Sequence, residues 1–403
     1  MGRRLAVLLS LLAVTAPVAS AATPSVPTAL QHKLARALRV PHVSQSRSAA
    51  LAVDLATGAV VYSQNAPRPL SPASNEKLPV TFAALSLLGA DYRYETDVLG
   101  DGSQNGAIWE GQVVLKGGGD PTLSSADLRS LALQVRAAGI RRVDGAVVGD
   151  ESWYDARRTV AGWRPGFYIN ESLPLSALVV DRDRALGVVS SNPALAAATA
   201  FRNALRTAGV SVAGPVKVGM AGSFAVPLAS VDSAPLSSII RFMDRESDNF
   251  TAEMLLKELG ATQSDSGSSP AGAAVVTSEL AQAGVPMSGV RIVDGSGLSD
   301  LDRLTANALA ALLRAAWKDP AVRSPLLAAL PIAGVNGTLE DRMRRGPARG
   351  HVLAKTGTTS EASALSGFVR NRYAFAILQN GHPVSSWWAR VAQDRFAQVL
   401  AAQ

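Results

Sequence analysis

Ser71-Pro72-Ala73-Ser74-Asn75-Glu76-Lys77-Leu78-Pro79-Val80-Thr81-Phe82-Ala83-Ala84-Leu85 is the stretch on which the fold turns. Pro72 closes an extended segment, and residues 78–88 keep apolar side chains at helical spacing. Ser74 is therefore expected near the N-terminus of a buried helix, with Lys77 one turn on. Residues three apart share a helix face, so the two side chains can meet. A serine hydroxyl is a weak nucleophile and needs a base within hydrogen-bond reach. Lys77 can serve only when neutral, so its reference pKa of about 10.4 has to fall through burial or a nearby cation.

Two later strings complete a constellation: Ser247-Asp248-Asn249 and Lys355-Thr356-Gly357-Thr358. Lys355 supplies the cation that lowers Lys77. Ser247 bridges the two lysines and relays a proton to a leaving amine. Asn249 offers an amide to a substrate peptide group. Lys355, Thr356 and Thr358 suit a terminal carboxylate, with one charge and two hydroxyls. The backbone N–H groups of Ser74 and Thr358 suit an oxyanion. Each string alone is a weak signal. S-x-N also occurs at 63–65, 103–105 and 190–192, and the bland reading of Lys355-Thr356-Gly357 is a strand end before a turn. Order, spacing and context together carry the inference.

Outward from Ser74, residues 50–54 and 59–62 read as short strands joined by a turn at 56–58. Residues 30–38 read as a helix. A different region begins near Asp91. It holds a strand at 109–116, Gly117-Gly118-Gly119-Asp120-Pro121, a helix at 125–138, a strand at 142–148, a loop at 163–175 and a helix at 193–208. Helical spacing resumes from 234 and continues through 247–259. Residues 262–272 read as loop, followed by helices at 273–283 and 305–316. Strands at 351–355, 364–369 and 373–378 and a closing helix at 386–401 bring Lys355 back beside the early hairpin. This pattern is α+β: an antiparallel sheet flanked by helices, with a smaller α/β domain inserted. The expected division is a leader at 1–21, a discontinuous serine-enzyme domain at 22–90 and 232–403, and an insert at 91–231.

Bulk properties narrow the classes. The chain of 403 residues is 47% apolar, enough for a sizeable core. Absence of cysteine removes disulfides, thiol nucleophiles, thiolate metal sites and a lipid-modified N-terminal cysteine. Arg3-Arg4, the apolar run 5–18 and Ala19-Ser20-Ala21 form a secretory leader with a small-x-small cleavage site. An uncleaved N-terminal anchor is the alternative. No transmembrane segment is expected in the mature protein, which belongs outside the cytoplasmic membrane. Losing Arg3 and Arg4 takes the formal charge from +7 to +5, which suits an anionic wall or membrane surface. Scattered basic residues and 5% aromatics argue against nucleic acid. There is no G-x-S-x-G elbow and no H-E-x-x-H, and Gly117-Gly118-Gly119 lacks the Gly-Lys-Ser/Thr of a phosphate loop.

With these strings in place the chain resembles the D-alanyl-D-alanine carboxypeptidase/endopeptidase family, the class C low-molecular-mass penicillin-binding proteins. The likeness rests on residues 71–77, Gly117-Gly118-Gly119-Asp120-Pro121-Thr122-Leu123 and Ser247-Asp248-Asn249 with Ala252-Glu253. It extends to Asp294-Gly295-Ser296-Gly297-Leu298-Ser299, Gly337-Thr338-Leu339, and Lys355-Thr356-Gly357-Thr358 with Ala364-Leu365-Ser366-Gly367. The resemblance implies a penicillin-binding, β-lactamase-like peptidase domain and an acyl-enzyme on Ser74. It also implies action on D-Ala-D-Ala and D-centred cross-links of peptidoglycan stem peptides, acylation by β-lactams, and no need of a metal or organic cofactor. It implies a substrate role for Asp150, where members offer an acid to a side-chain amine; a turn-capping aspartate is the other reading. Two departures stand out. The interval from Ser74 to Ser247 is short for members with two inserted domains, and Asp300 occupies a position where an arginine often clamps a side-chain carboxylate. A β-lactamase or related serine esterase, and an inactive wall-binding module, remain the alternatives.

Overall fold

The computed structural model describes residues 28–184 and 187–403; the leader expected at 1–21 lies outside them. In chain order the helices are α1 (Thr28–Leu38), α2 (Lys77–Leu87), α3 (Ser125–Ala137), α4 (Pro193–Thr207), α5 (Leu236–Glu246), α6 (Asn249–Ser264), α7 (Ser269–Gln282), α8 (Ala306–Lys318), α9 (Pro320–Ala329) and α10 (Ser386–Ala401). The strands are β1 (Ser48–Asp54), β2 (Val60–Gln64), β3 (Glu95–Asn105), β4 (Ile108–Gly117), β5 (Arg142–Val143), β6 (Val147–Asp150), β7 (Ser211–Val212), β8 (Val216–Val218), β9 (Val226–Asp232), β10 (Val352–Thr358), β11 (Ala362–Val369) and β12 (Tyr373–Asn380).

The first sheet runs β10-β11-β12-β1-β2, with every neighbouring pair antiparallel. Its central strands are apolar on both faces because helices cover both. Side chains alternate with period two. Ala49, Leu51, Val53, Ala374, Ala376 and Leu378 face a core built with α2 and α5–α9. Ala50, Ala52, Phe375 and Ile377 face a second core built with α1 and α10. Fully burying a side chain such as Phe375 or Phe396 contributes about 1.5–3 kcal/mol. The hairpin joining β1 and β2 is fixed by Asp54, whose carboxylate accepts from the Ala56 and Thr57 amides.

The second sheet runs β7-β5-β4-β3-β9, with β6 pairing to β4 and β8. β3 and β4 form an antiparallel hairpin, whereas β5 and β6 run parallel to β4. Helices α3 and α4 pack on it through Leu128, Leu131, Phe201 and Leu205. A capping box between Ser124 and Asp127 starts α3. The strand expected at 142–148 is two short strands. They are separated at Gly145, where a Cβ would lie 2.2 Å from the Gly111 carbonyl oxygen. The loop expected at 262–272 is shorter: α6 continues to Ser264 and α7 begins at Ser269. Ser268 accepts from the Ala271 amide and starts α7, a cap hidden in a Ser- and Gly-rich run. α9, unexpected from the sequence, begins with Asp319 and Pro320, a usual start pair.

The long return from β6 (residues 151–180) packs on α6: Tyr154, Leu173, Leu175 and Val179 meet Phe250 and Met254. Among the described residues no helix is long and apolar enough to cross a membrane.

Candidate active site

Ser74 lies in a short 3-10 turn (Ala73–Glu76) that feeds α2, not in α2 itself. The preceding Ala73 has φ +46°, a left-handed conformation that a non-glycine residue adopts at a cost. What holds it is close packing. A Cβ on Gly297 (φ +81°) would lie 1.9 Å from the Ala73 carbonyl oxygen, so only glycine lets residues 294–299 back the nucleophile turn. From the other side, a Cβ on Gly357 would stand 3.0 Å from the Ser74 amide nitrogen. Asn75 ties the turn to β10 by donating to the Lys355 carbonyl at 3.0 Å.

Ser247-Asp248-Asn249 is the elbow between α5 and α6. Ser247 is left-handed (φ +59°) at the end of α5, and Asp248 caps α6 by accepting from the Thr251 amide. Asp248 is also ion-paired with Arg182 at 2.7 Å. β10 carries Lys355 to Thr358 along the sheet edge facing the nucleophile turn.

These elements bring the two amines to the two serines. Lys77 Nζ lies 3.1 Å from Ser74 Oγ and donates to Asn249 Oδ1 and the Ser296 carbonyl, both at 2.8 Å. Lys355 Nζ donates to Ser247 Oγ at 2.8 Å and to the Thr356 carbonyl at 3.0 Å. Both lysines are fully buried. Burial pushes Lys77 down to about 8, against the opposing pull of Asp294 and Glu253. Burial, helped by the charge on Lys77, pushes Lys355 down to about 7. Each amine donates to two other acceptors, and Lys77 is the one whose remaining contact is Ser74 Oγ; with two N–H groups so engaged, a neutral Lys77 would turn its lone pair to the Ser74 hydroxyl. Lys355 keeps a donor for an incoming carboxylate, whose charge would hold the proton there.

The cleft of about 340 Å³ is lined by Ser74, Ser247, Thr356, Gly357 and Thr358, and also by Thr338, Asp341, Arg342 and Arg390. Thr356 Oγ1 is 2.7 Å from Thr338 Oγ1, which gives Gly337-Thr338-Leu339 its place. Arg342 and Arg390 carry no local motif and were not legible as cleft residues. Sequence reading also missed the buried carboxylates behind Lys77. Glu253 accepts from the Gly295 and Ser296 amides, and Asp294 from Gly297 and Ser299. Burial, together with Asp294 and Glu253, pushes Glu76 well above the usual carboxylate range. Ala252-Glu253 and the Asp294–Ser299 string were the available signals.

Asn249 departs from expectation in part. Its Oδ1 serves Lys77 and its Nδ2 donates to the Glu171 carbonyl of the return loop at 3.0 Å. Asp150 is not among the residues lining the cleft. It is 2% exposed at the end of β6, and its two oxygens accept from the Ser152 and Ala221 amides at 2.9 Å. Here it caps a strand end, the second of its two readings, with both oxygens engaged by backbone amides. The glycine-rich stretch is likewise close packing: a Cβ on Gly117 would meet the Ala177 carbonyl oxygen at 2.2 Å. Asp300 is ion-paired with Arg164 at 3.0 Å, and Arg164 also reaches Glu361. Among the described residues no group of three or more His, Asp or Glu is placed to hold a metal.

The chain matches the model of the D-Ala-D-Ala carboxypeptidase 3 (S13) family over residues 30–187 and 169–403. It is 32% identical to the D-alanyl-D-alanine carboxypeptidase of an Actinomadura species, covering 88% of this chain and 81% of that one. It is 36% identical to carboxypeptidase DacB of Mycolicibacterium smegmatis, covering 86% and 78%. Its fold is similar to that of penicillin binding protein 4 (DacB) from Haemophilus influenzae, with a TM-score of 0.81 and 22% identity over 92% of this chain and 98% of that one. A second structure of that protein, complexed with a β-lactam, superposes with a TM-score of 0.73. A buried two-lysine, two-serine centre on this fold and matches along nearly the whole described chain lead to one assignment: the protein belongs to the D-Ala-D-Ala carboxypeptidase 3 (S13) family and is a serine-type hydrolase.

Proposed function

We propose that this protein is an extracytoplasmic DD-carboxypeptidase that also cleaves D-centred cross-links, working through an acyl-enzyme on Ser74 that β-lactams trap. The single supporting observation is the 3.1 Å approach of Lys77 Nζ to Ser74 Oγ, with Lys355 and Ser247 joined at 2.8 Å across the same cleft. Neutral Lys77 takes the Ser74 proton as Oγ adds to the D-Ala carbonyl carbon. The proton passes by way of Ser247 to the departing amine, and the C–N bond breaks. Lys355, Thr356 and Thr358 hold the substrate's terminal carboxylate. The Ser74 and Thr358 amides receive the oxyanion. Asn249 acts first as an acceptor that orients Lys77, and it reaches substrate only by releasing the Glu171 carbonyl. Water then attacks the ester and frees the shortened peptide.

The same reading makes 91–231 an insert in a peptidase unit of 22–90 and 232–403. It is supported by Glu95 and Asp232 facing each other as register partners of β3 and β9, so the ends of the segment meet. Secretion through residues 1–21 rests on the sequence pattern alone.

A fluorescent penicillin tests the proposal together with mass analysis of products from defined muropeptides. The expected result is a lasting label on Ser74 and release of D-alanine. Rapid turnover of the label would favour a β-lactamase. No label and no product would leave a binding module.

A further inference from the structure

Residues 341–350, Asp-Arg-Met-Arg-Arg-Gly-Pro-Ala-Arg-Gly, hold four arginines against one acid. The structure sorts them into two sets. Arg342 turns inward, where it is held by Asp394 at 2.6 Å and by Gln393 at 3.0 Å on α10. Met343 and Ala348 are buried in the core beneath α10. Gln398 clasps the loop from both ends: its Oε1 accepts from the Ala348 amide, and its Nε2 donates to the Arg345 carbonyl. Gly350 donates to Ala333, and Gly334 donates to Leu339. A loop pinned at so many points presents its remaining side chains from fixed backbone positions.

Those remaining side chains are Arg344, Arg345 and Arg349. With Gly334 they line an open recess of about 640 Å³ that has no carboxylate and no aromatic ring in its wall. Arg344 has one acidic neighbour, Asp341 at 3.5 Å, with both groups largely exposed, a pairing worth little in water. Among the described residues neither Arg345 nor Arg349 has a carboxylate within 4.0 Å. Gly334 keeps the recess open. Its φ is +66°, and a Cβ there would lie 2.9 Å from Arg344 Cα and 3.1 Å from Arg349 Cγ. Three like charges held together with only one exposed, loosely placed carboxylate beside them repel one another, and an anion that enters relieves the repulsion. One loop serves both the recess and the cleft: Asp341 and Arg342 line the cleft with Ser74, and Arg344, Arg345 and Arg349 line the recess.

We propose that Arg344, Arg345 and Arg349 form a binding site for the phosphodiester groups of an anionic polymer, beside the cleft where peptide is cut. Guanidinium matches phosphate oxygens in a bidentate way. A chain that repeats one negative charge per unit engages three fixed cations together, where a single carboxylate would engage one or two. A single-stranded nucleic acid needs aromatic platforms for its bases, and this wall has none. A bilayer presents a flat surface to a recess that lacks an apolar lining. The proposal goes beyond the acyl-transfer reading and requires nothing of Ser74.

The test measures binding of the full chain to poly(glycerol phosphate) across a salt series. The parallel probes are polyglutamate, an oligo-dT strand and vesicles of phosphatidylglycerol and phosphatidylcholine. The variant carries Arg344→Gln, Arg345→Gln and Arg349→Gln. A control carries Arg129→Gln, Arg206→Gln and Arg241→Gln, which removes the same charge from exposed positions elsewhere. At about 50 mM salt the recess variant is expected to bind poly(glycerol phosphate) at least tenfold more weakly. Its slope of log affinity against log salt should flatten by about two. The control should lose less than twofold, and both variants should release D-alanine from a soluble peptide at the wild-type rate. Equal losses in the two variants, or no loss in either, would overturn the proposal. So would an arginine-dependent affinity for vesicles, oligo-dT or polyglutamate that equals or exceeds that for the phosphodiester polymer. If the soluble peptide is not cleaved at all, the acyl-transfer reading fails while the binding result still stands.

Discussion

The two sheets of this protein bury different things. Beneath the second sheet the core is built on apolar side chains: Val113, Leu115, Leu131, Val135, Phe201 and Leu205 are each essentially inaccessible. Beside the first sheet, Lys77, Lys355, Glu76, Glu253, Asp294 and Asp302 are buried to a similar degree. Burying charge opposes folding unless each group is paired or neutralised. The first region therefore devotes part of its stability to poising two amines, while the second is scaffold. Loss of function and loss of stability should separate along this division.

The largest expected effect is on function alone. Ser74→Ala should abolish penicillin labelling and D-alanine release, a loss of at least about 10⁴-fold. Its melting temperature should stay within a few degrees of wild type, since one hydroxyl on a half-buried residue is removed. Full activity in this variant would destroy the contrast. Lys77→Arg comes next. A guanidinium stays protonated and cannot act as a base, so acylation should fall about 10²–10⁴-fold. Phe201→Ala inverts the pattern. It should lower unfolding free energy by about 3–5 kcal/mol in chemical denaturation, while the folded fraction labels at the normal rate. Slower acylation by folded molecules would show that the second sheet tunes the centre after all.

The pH dependence sharpens the picture of the charged region. Folding holds Lys77 near 8 and Lys355 near 7, both below an ordinary lysine. As pH falls below that range both amines are charged and no base remains. The acylation rate should then drop by about tenfold per pH unit, read by stopped-flow labelling at saturating folded protein. The two values belong to the pair, so one limb should report both. The smallest effect is Asp150→Asn. It weakens a strand-end cap and should cost about 1 kcal/mol of stability, with muropeptide turnover within twofold of wild type.

The chemistry was legible because it depends on residue types at fixed spacing. Ser74 with Lys77, Ser247 with Asn249, and Lys355 with Thr356 announced themselves, as did the β1–β2 hairpin and the α+β pattern. What stayed hidden depends on the backbone or on distance. Ser296 serves Lys77 through its carbonyl, which any residue could supply. Asn75 reads as a variable position until its bond to the Lys355 carbonyl is seen. β3 pairs with β9 across more than a hundred residues, and β9 has a half-exposed, irregular pattern that gives no period to read. Asp150 kept two readings because a strand-end cap and a ligand-binding acid look alike in one dimension.

The seat of the return loop on α6 also bears on how the molecule could be shortened. Lys257 is buried against Asp155, Glu258 accepts from Trp153 and Tyr154, and Asp248 is paired with Arg182. Each of these partners comes from the stretch that a trimmed enzyme would discard. Cutting it out would strand an ammonium and two carboxylates, uncover Phe250 and Met254, and take the Glu171 carbonyl from Asn249. A minimal version of this enzyme would thus need α6 redesigned before it could be expressed in soluble form.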